Sequence, residues 1–417
     1  MLFGRRLGPA CRGAGLAIAL LLLAACAGAG ELPTRAHRLI TPAPTNTTLP
    51  PTFTPFAQGT LGHLRLLSRP LGPTPTPSVT PVLPTRTPWP TASATFSASP
   101  TPTRYVSVLP ELPPTDELGP SKLGIHVVRN NDPAIMDFVR RTQPAVVKAV
   151  DDFGFLAEVQ AASPRTITIG RHTIASQSYA GSAEEAARLF VEQYLPLYRA
   201  NPAVDYWEGW NEPDPDYEHM IWYSRFEQER VRQMAQHGLR CAIGSFAAGV
   251  PEMDEFQLFL PAIDAAMQHD GILSLHEYAA PDMAYLYGGA LPGFPSHPDR
   301  GSLTFRYRWF YGEYLEPGDM VIPLVISEAG VDGLIGNRPG PDGRGWLDFQ
   351  HYWVSQGLGG TGVEAFLNQL AWYDAGVRQD GYVMGFTVFT AGAIEEWRAY
   401  DITPILPQVA DYVINQG

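Results

Sequence analysis

The sequence predicts an α/β fold, a (β/α)8 TIM barrel over residues 116–417, behind a signal peptide and a Pro/Thr-rich tether. Three observations predict it. Apolar, β-branched runs recur eight times, at 123–128, 145–150, 166–170, 204–210, 240–246, 271–275, 321–327 and 382–389. Helix-patterned segments separate most of them. The runs are also near-continuously hydrophobic, as in parallel strands covered on both faces. Eight such strands with crossovers in about 300 residues fit a closed barrel. A doubly wound open sheet is the alternative, weakened because no Gly-rich phosphate fingerprint follows the first strand.

Residues 1–25 read as an address. Arg5, Arg6 and Arg12 precede an uncharged apolar run at 15–25, too short to span a bilayer and suited to a signal core. The paired Arg5-Arg6 is a weak twin-arginine hint. Leu23-Ala24-Ala25-Cys26 resembles the lipobox of bacterial lipoproteins. That resemblance implies cleavage before Cys26, its acylation, and an exported protein held at the cell surface through this lipid anchor alone. Ordinary secretion, with Cys26 incidental, is the alternative. Of the three cysteines, Cys11 leaves with the signal, and Cys241 lies alone in an apolar stretch as a small core residue. No disulfide scaffold is expected.

Residues 26–115 are expected to be a disordered tether. About half of the 40 prolines fall in 31–115, among Thr and Ser, so no packed core can form there. An extended, partly polyproline-II spacer would reach up to ~3 Å per residue. The island LGHLRLL at 61–67 suggests at most a turn of helix, and recognition through PxxP is a secondary reading. Charge divides at the same place. Residues 1–115 hold nine Arg and two Glu, leaving 20 basic and 40 acidic residues for 116–417. The net −13 therefore averages a basic leader and a domain at −20. Such a domain repels phosphate backbones, so no nucleic-acid partner is expected. No second apolar run of membrane-spanning length exists, which excludes a polytopic membrane protein.

Within the barrel, Asp132-Pro133 opens a helix to about Thr142. Ser182-Ala183-Glu184-Glu185 resembles a capping box opening a helix through Tyr198. Residues 217–237 and 362–377 carry helical apolar spacing.

Barrel chemistry gathers where strands end and βα loops begin. The fourth strand ends in Trp210-Asn211-Glu212-Pro213 and the seventh in Ser327-Glu328-Ala329-Gly330. Strands four and seven face each other across a barrel of eight. Paired carboxylates across a cleft suit glycoside hydrolysis, one protonated to assist the leaving oxygen and the other ionised to attack or to activate water. Mutual repulsion separates their pKa values.

With these residues the chain resembles the retaining glycoside hydrolases of clan A, such as families 5, 39 and 53. The resemblance covers the barrel at the level of strand order and is close only at these motifs. It implies that Glu212 is the acid/base, Glu328 the nucleophile, and Asn211 the partner of a sugar 2-hydroxyl. His276-Glu277-Tyr278 resembles the clan's His-x-Tyr, giving Tyr278 the task of holding the nucleophile and His276 a place in the site. Arg171 is the candidate cation that keeps the nucleophile ionised, although the clan usually carries its arginine elsewhere. Trp210 is a further substrate-binding candidate. The clan's strand-eight tryptophan is absent, so either Phe389 takes over stacking or Trp397 enters from the loop. The expected substrate is an oligo- or polysaccharide, with no cofactor, no metal and a monomeric chain.

Blander assignments stand beside these. Glu212 alone is a helix-start carboxylate. Glu277 rivals Glu328, but strand alternation aims it away from the axis. Glu208 shares the parity of Glu212 and suits a buried partner such as Lys148 or Arg171. Asp214, Asp216 and Glu218 hint at a calcium loop and read better as solvated acids. His126 stays open between cleft and core. Trp222, Tyr223 and Phe226 have core spacing. One or two of Trp309, Phe310, Tyr311, Tyr314, Trp346, Tyr352 and Trp353 are expected to line subsites. A non-catalytic carbohydrate-binding lipoprotein and a transglycosylase using the same residues are the alternative functions.

Overall fold

The computed structural model describes residues 105–115, 118–174 and 176–416. The signal, Cys26 and the tether up to residue 104 lie outside the described residues. Eight parallel strands run β1 (Leu123–Val127), β2 (Val146–Val150), β3 (Ile167–Arg171), β4 (Tyr206–Trp207), β5 (Ala242–Phe246), β6 (Ile272–Ala279), β7 (Leu324–Val331) and β8 (Val383–Ala391). Their order is β4-β3-β2-β1-β8-β7-β6-β5, and the bridge Trp207–Cys241 joins β4 to β5. The sheet therefore closes on itself as a (β/α)8 barrel. All eight expected strands are present in the expected sequence order. β4 is cut to two residues, and β6 extends past the apolar run to take in His276, Glu277 and Tyr278.

The crossovers carry α1 (Pro133–Thr142), α2 (Leu156–Ala162), α3 (Ala183–Ala200), α4 (Tyr217–Gln236) and α5 (Met253–Met267). They continue with α6 (Tyr307–Phe310), which runs on into a π turn, then α7 (Trp346–Gln356), α8 (Gly362–Val377) and α9 (Leu406–Ile414). Local chemistry sets their starts. Asp132 accepts from Ala134 N at 2.8 Å ahead of Pro133, and Asp216 accepts from His219 N at 2.9 Å. Ser182 accepts from Glu185 N at 3.3 Å, and Thr361 from Glu364 N at 3.1 Å. In α1 the buried face is Ile135, Met136, Phe138 and Val139, the i, i+3, i+4 pattern of a helix laid on a sheet. Among the described residues no helix is long and apolar enough to cross a membrane. Cys241 is free and buried, and burial pushes its thiol up to about 11.

Two layers of side chains fill the barrel. Val146, Ile169, Tyr206, Ala242, Ile272 and Val325 form an apolar plug at the lower end. Because strand side chains alternate, the next inward positions up are Lys148, Glu208, Ser274 and Ser327, all at most 1% exposed. The upper interior is thus polar. On β7 the alternation breaks. The register with β6 shifts between Leu275–Ile326 and His276–Glu328, leaving Ser327 as an extra residue. This bulge sends Ser327 and Glu328 both inward, while Ile326 and Ala329 both join the outer core. Beyond it the phase is reversed, so Asp332 also reaches the upper mouth.

The domain begins earlier than residue 116. Residues 105–115, expected to be tether, pack against the barrel. Tyr105 OH lies 3.2 and 3.1 Å from the two carboxyl oxygens of Asp282, Ser107 is 2% exposed, and Leu109 and Leu112 touch the core. Trp372 Nε1 donates to Pro110 O at 2.9 Å and Gln379 Nε2 to Pro113 O at 3.1 Å. Proline removes donors but leaves carbonyls, and those carbonyls are what α8 and its end bind.

Candidate active site

The strand ends surround a cavity of about 470 Å³ whose walls include His126, Arg171, Asn211, Glu212, Tyr278, Glu328 and Phe389. Glu328 is the most heavily bonded carboxylate in it. Its Oε1 takes Lys148 Nζ at 2.9 Å and Arg171 Nη2 at 3.2 Å, with His126 Nε2 at 3.6 Å. Its Oε2 accepts from Tyr278 OH at 2.8 Å and faces His276 Nδ1 at 3.6 Å. Burial opposes ionisation here, but His276, Lys148 and Arg171 outweigh it and hold the carboxyl well below its ordinary value.

Glu212 differs in kind. Its side chain is 39% exposed against 6% for Glu328, and its Oε1 lies 2.9 Å from His276 Nδ1. Its backbone is left-handed at φ 47° while its N–H donates to Ser245 O at 2.9 Å. A non-glycine residue held there costs of order 1 kcal/mol. One carboxylate oxygen from each glutamate and one His276 nitrogen all lie within 4.8 Å of one another. One acid is buried and held ionised, and the other meets solvent across the same gap.

That trio is also a donor set a divalent cation accepts. Lys148 and Arg171, already against Glu328, repel a third positive charge there.

Below Glu328 lies a second buried acid. Glu208 Oε2 is 2.8 Å from Lys148 Nζ and 3.6 Å from Arg171 Nε, and Ser274 Oγ donates to its Oε1 at 2.7 Å. Burial raises this carboxyl, yet Lys148, His276 and Arg171 bring it down to about 2. His126 goes the other way. Burial pushes its imidazole down to about 3, so it stays neutral, with Nδ1 2.7 Å from Thr390 Oγ1.

The structure thus gathers Asn211, Glu212, Arg171, His276, Tyr278, Glu328 and Phe389 at one mouth, but it places Trp210 elsewhere. Trp210 is 4% exposed and packs against Tyr179, Trp222 and Phe226 at 5.2–5.6 Å, in the core under α4. β4 ends at Trp207, so its alternation does not extend to residue 210. The loop aromatics expected to supply subsites are also elsewhere. Trp309, Phe310, Tyr311, Trp346 and Trp353 are at most 2% exposed, and neither they nor Tyr314 or Tyr352 line the cavity. Its aromatic wall is Tyr278, Phe389, Trp397 and Tyr400, with Phe389 and Trp397 edge-to-face at 5.2 Å. Gly392 lets this wall close. At φ 64° it lies so near β1 that a Cβ would sit 1.7 Å from Arg129 O. Glu277 faces the helical layer, where it accepts from Phe305 N, Tyr307 N and Tyr373 OH, and burial raises it to about 7 against those donors.

Lys148 is the main residue that sequence reasoning missed as a contact of Glu328. Its signal was a lone lysine in an otherwise apolar strand. Asp332 and Tyr400, joined by a 2.8 Å hydrogen bond on the cavity wall, carried no motif.

No family model and no curated protein matches the chain. Solved structures do match, at low identity. An endo-β-1,4-glucanase from Xanthomonas axonopodis pv. citri is 12% identical over 70% of this chain and 99% of its own, with TM-score 0.37. An endo-1,4-β-D-mannanase from Thermotoga petrophila is 9% identical over 71% and 99%, with TM-score 0.38. A family 51 α-L-arabinofuranosidase from Bifidobacterium longum is 13% identical over 69% of each chain, with TM-score 0.34. The closed strand order, independent of these likenesses, defines the barrel.

Proposed function

We propose that this chain is a retaining glycoside hydrolase that cleaves O-glycosidic bonds, of β configuration, in an oligo- or polysaccharide. The observation that carries the reading is the carboxylate pair, with oxygens of Glu212 and Glu328 inside 4.8 Å and only Glu328 buried among cations. Retaining enzymes hold their two carboxyl groups ~5–5.5 Å apart, whereas inverting ones leave ~6.5–9.5 Å for a water. Glu328 attacks the anomeric carbon as Glu212 protonates the departing oxygen. Glu212 then takes a proton from the water that breaks the ester, and Glu328 leaves as a carboxylate. Asn211 binds a sugar hydroxyl through Oδ1, a reading supported by that atom being buried without a hydrogen-bond partner among the described residues. Tyr278 fixes the nucleophile, and Phe389 with Trp397 offers the sugar an apolar face.

The test is a panel of polysaccharides and aryl glycosides on residues 105–417, with the anomer of the first product read by NMR. Retention, together with labelling of Glu328 by a 2-fluoro glycoside, is expected; inversion or a label elsewhere refutes the mechanism. The reading extends to location, with acylation of Cys26 holding the enzyme at a bacterial surface. Cys26→Ser is expected to abolish palmitate incorporation in cells, and unchanged incorporation would rule the anchor out.

A further inference from the structure

We propose that Glu208 is a positioning residue for this reaction, the anion that keeps Lys148 and Arg171 compensated while Glu328 is esterified. The inference rests on Glu328 being the nucleophile. Its starting point is a shared lysine. Lys148 Nζ stands 2.8 Å from Glu208 Oε2 and 2.9 Å from Glu328 Oε1, and Arg171 bridges the same two oxygens at 3.6 and 3.2 Å. Neither the Lys148 nor the Glu208 side chain has any exposed surface, and Arg171 has 11%. At the Lys148–Glu208 contact water is therefore excluded from screening a missing counter-charge, while Arg171 keeps one edge on the cavity.

In the resting site two carboxylates face two cations. When Glu328 attacks, a C–O bond forms to the anomeric carbon and the bond to the leaving oxygen breaks. The electron pair departs with that oxygen, which takes the proton of Glu212. Glu328 becomes a neutral ester and its charge is lost to the pair of cations. Glu208 then remains as their only carboxylate in contact, among the described residues. It does not line the cavity, and Ser274 Oγ holds it from behind at 2.7 Å, so it acts through Lys148 and Arg171 and not on substrate. Without it, two buried cations would face no anion, a state strongly disfavoured in a low-dielectric interior.

This role gives the two half-reactions opposite responses. Removing Glu208 penalises the step that discharges Glu328 and favours the step that restores its charge. A residue that merely supports the fold would slow both. Glu208→Gln keeps the shape and the Ser274 contact. On an aryl glycoside that the wild type turns over, kcat/KM is expected to fall about 100-fold or more. Reactivation of the 2-fluoro-glycosyl enzyme is expected to run at least as fast as in wild type. Glu208→Asp, which retains the charge, should recover part of kcat/KM. Equal slowing of both steps overturns the proposal.

A second measurement needs no turnover. Glu328→Gln copies the loss of charge on esterification. In thermal melts of Glu208→Gln, Glu328→Gln and the double variant, the double loss is expected to exceed the sum of the single losses. Failure of the double variant alone to fold counts the same way, and simple additivity overturns the charge sharing. Non-additive melts in a protein that no fluoro-glycoside labels would instead overturn the assignment of Glu328 as nucleophile.

Discussion

Replacing Lys148 by Met removes the cation that two buried carboxylates share. Glu208 is fully buried and its carboxyl is down at about 2 in the fold, against an ordinary value of 4.5. A tenfold change in proton affinity corresponds to ~1.4 kcal/mol, so a carboxyl held this low contributes about 3 kcal/mol at neutral pH. A depressed carboxyl gives stability that is fully present above its unfolded value and is lost as pH falls through its folded one. The window here runs from about 4.5 down to about 2. Lys148→Met leaves Glu208 and Glu328 desolvated together, and breaking such a buried pair costs roughly 3–5 kcal/mol. Urea unfolding of residues 105–417 at pH 7 should show that loss. At pH 3, where the wild type has already given up about 2 kcal/mol of the Glu208 contribution, the gap between the two proteins should narrow accordingly. A Lys148→Met loss below about 1 kcal/mol at pH 7, or a gap unchanged at pH 3, would refute the account of the buried pair.

Other outcomes follow from the same geometry. Glu212→Gln should cut turnover of poor leaving groups by roughly 10²–10⁴-fold and spare activated aryl glycosides, which need little protonation; comparing kcat/KM across leaving groups checks it. Trp397→Ala should weaken substrate by roughly tenfold in KM with a smaller effect on kcat, since the ring lines the cavity against Phe389 and makes no hydrogen bond to either carboxylate. Starting the domain at residue 116 deletes the Pro110 and Pro113 contacts and the Tyr105–Asp282 pair. It should lose about 3 kcal/mol relative to a 105 start, read by denaturation, and equal midpoints would contradict the packing described.

The barrel was legible because parallel strands buried on both faces write themselves as apolar runs, and eight were countable. Glu212 and Glu328 were legible because a carboxylate directly after such a run is conspicuous. What escaped shares a physical cause, departure from regular period. Trp210 was expected at the mouth on the assumption that β4 continues, but the strand stops at Trp207 and the ring turns under α4. Lys148 was visible only as a partner for Glu208, since strand alternation does not state how far a four-carbon stem reaches. Of the aromatic wall, Tyr278, Phe389 and Trp397 were named from the sequence, but Tyr400, in a short 3₁₀ segment without amphipathic pattern, was not, and the richer aromatic clusters before β7 and β8 went to the core. The tether was placed too far along because proline composition runs on through Pro114, whereas docking depends on a few side chains and carbonyls.

The extra residue on β7 has a consequence for anyone altering this chain. Inward positions are odd-numbered up to Ser327 and even-numbered from Glu328 onward, so the site is written in a different frame from the strand that carries it. Substituting Ser327 leaves that frame intact. Deleting it would restore strict alternation and leave Glu328 facing the axis opposite His276, the register partner it already has. What would go is the second inward side chain at that level, whose Oγ lies 3.2 Å from Lys148 Nζ and 2.8 Å from Ser274 Oγ. The extra residue therefore seats a hydroxyl beneath the Glu328 carboxylate while leaving that carboxylate in register with His276.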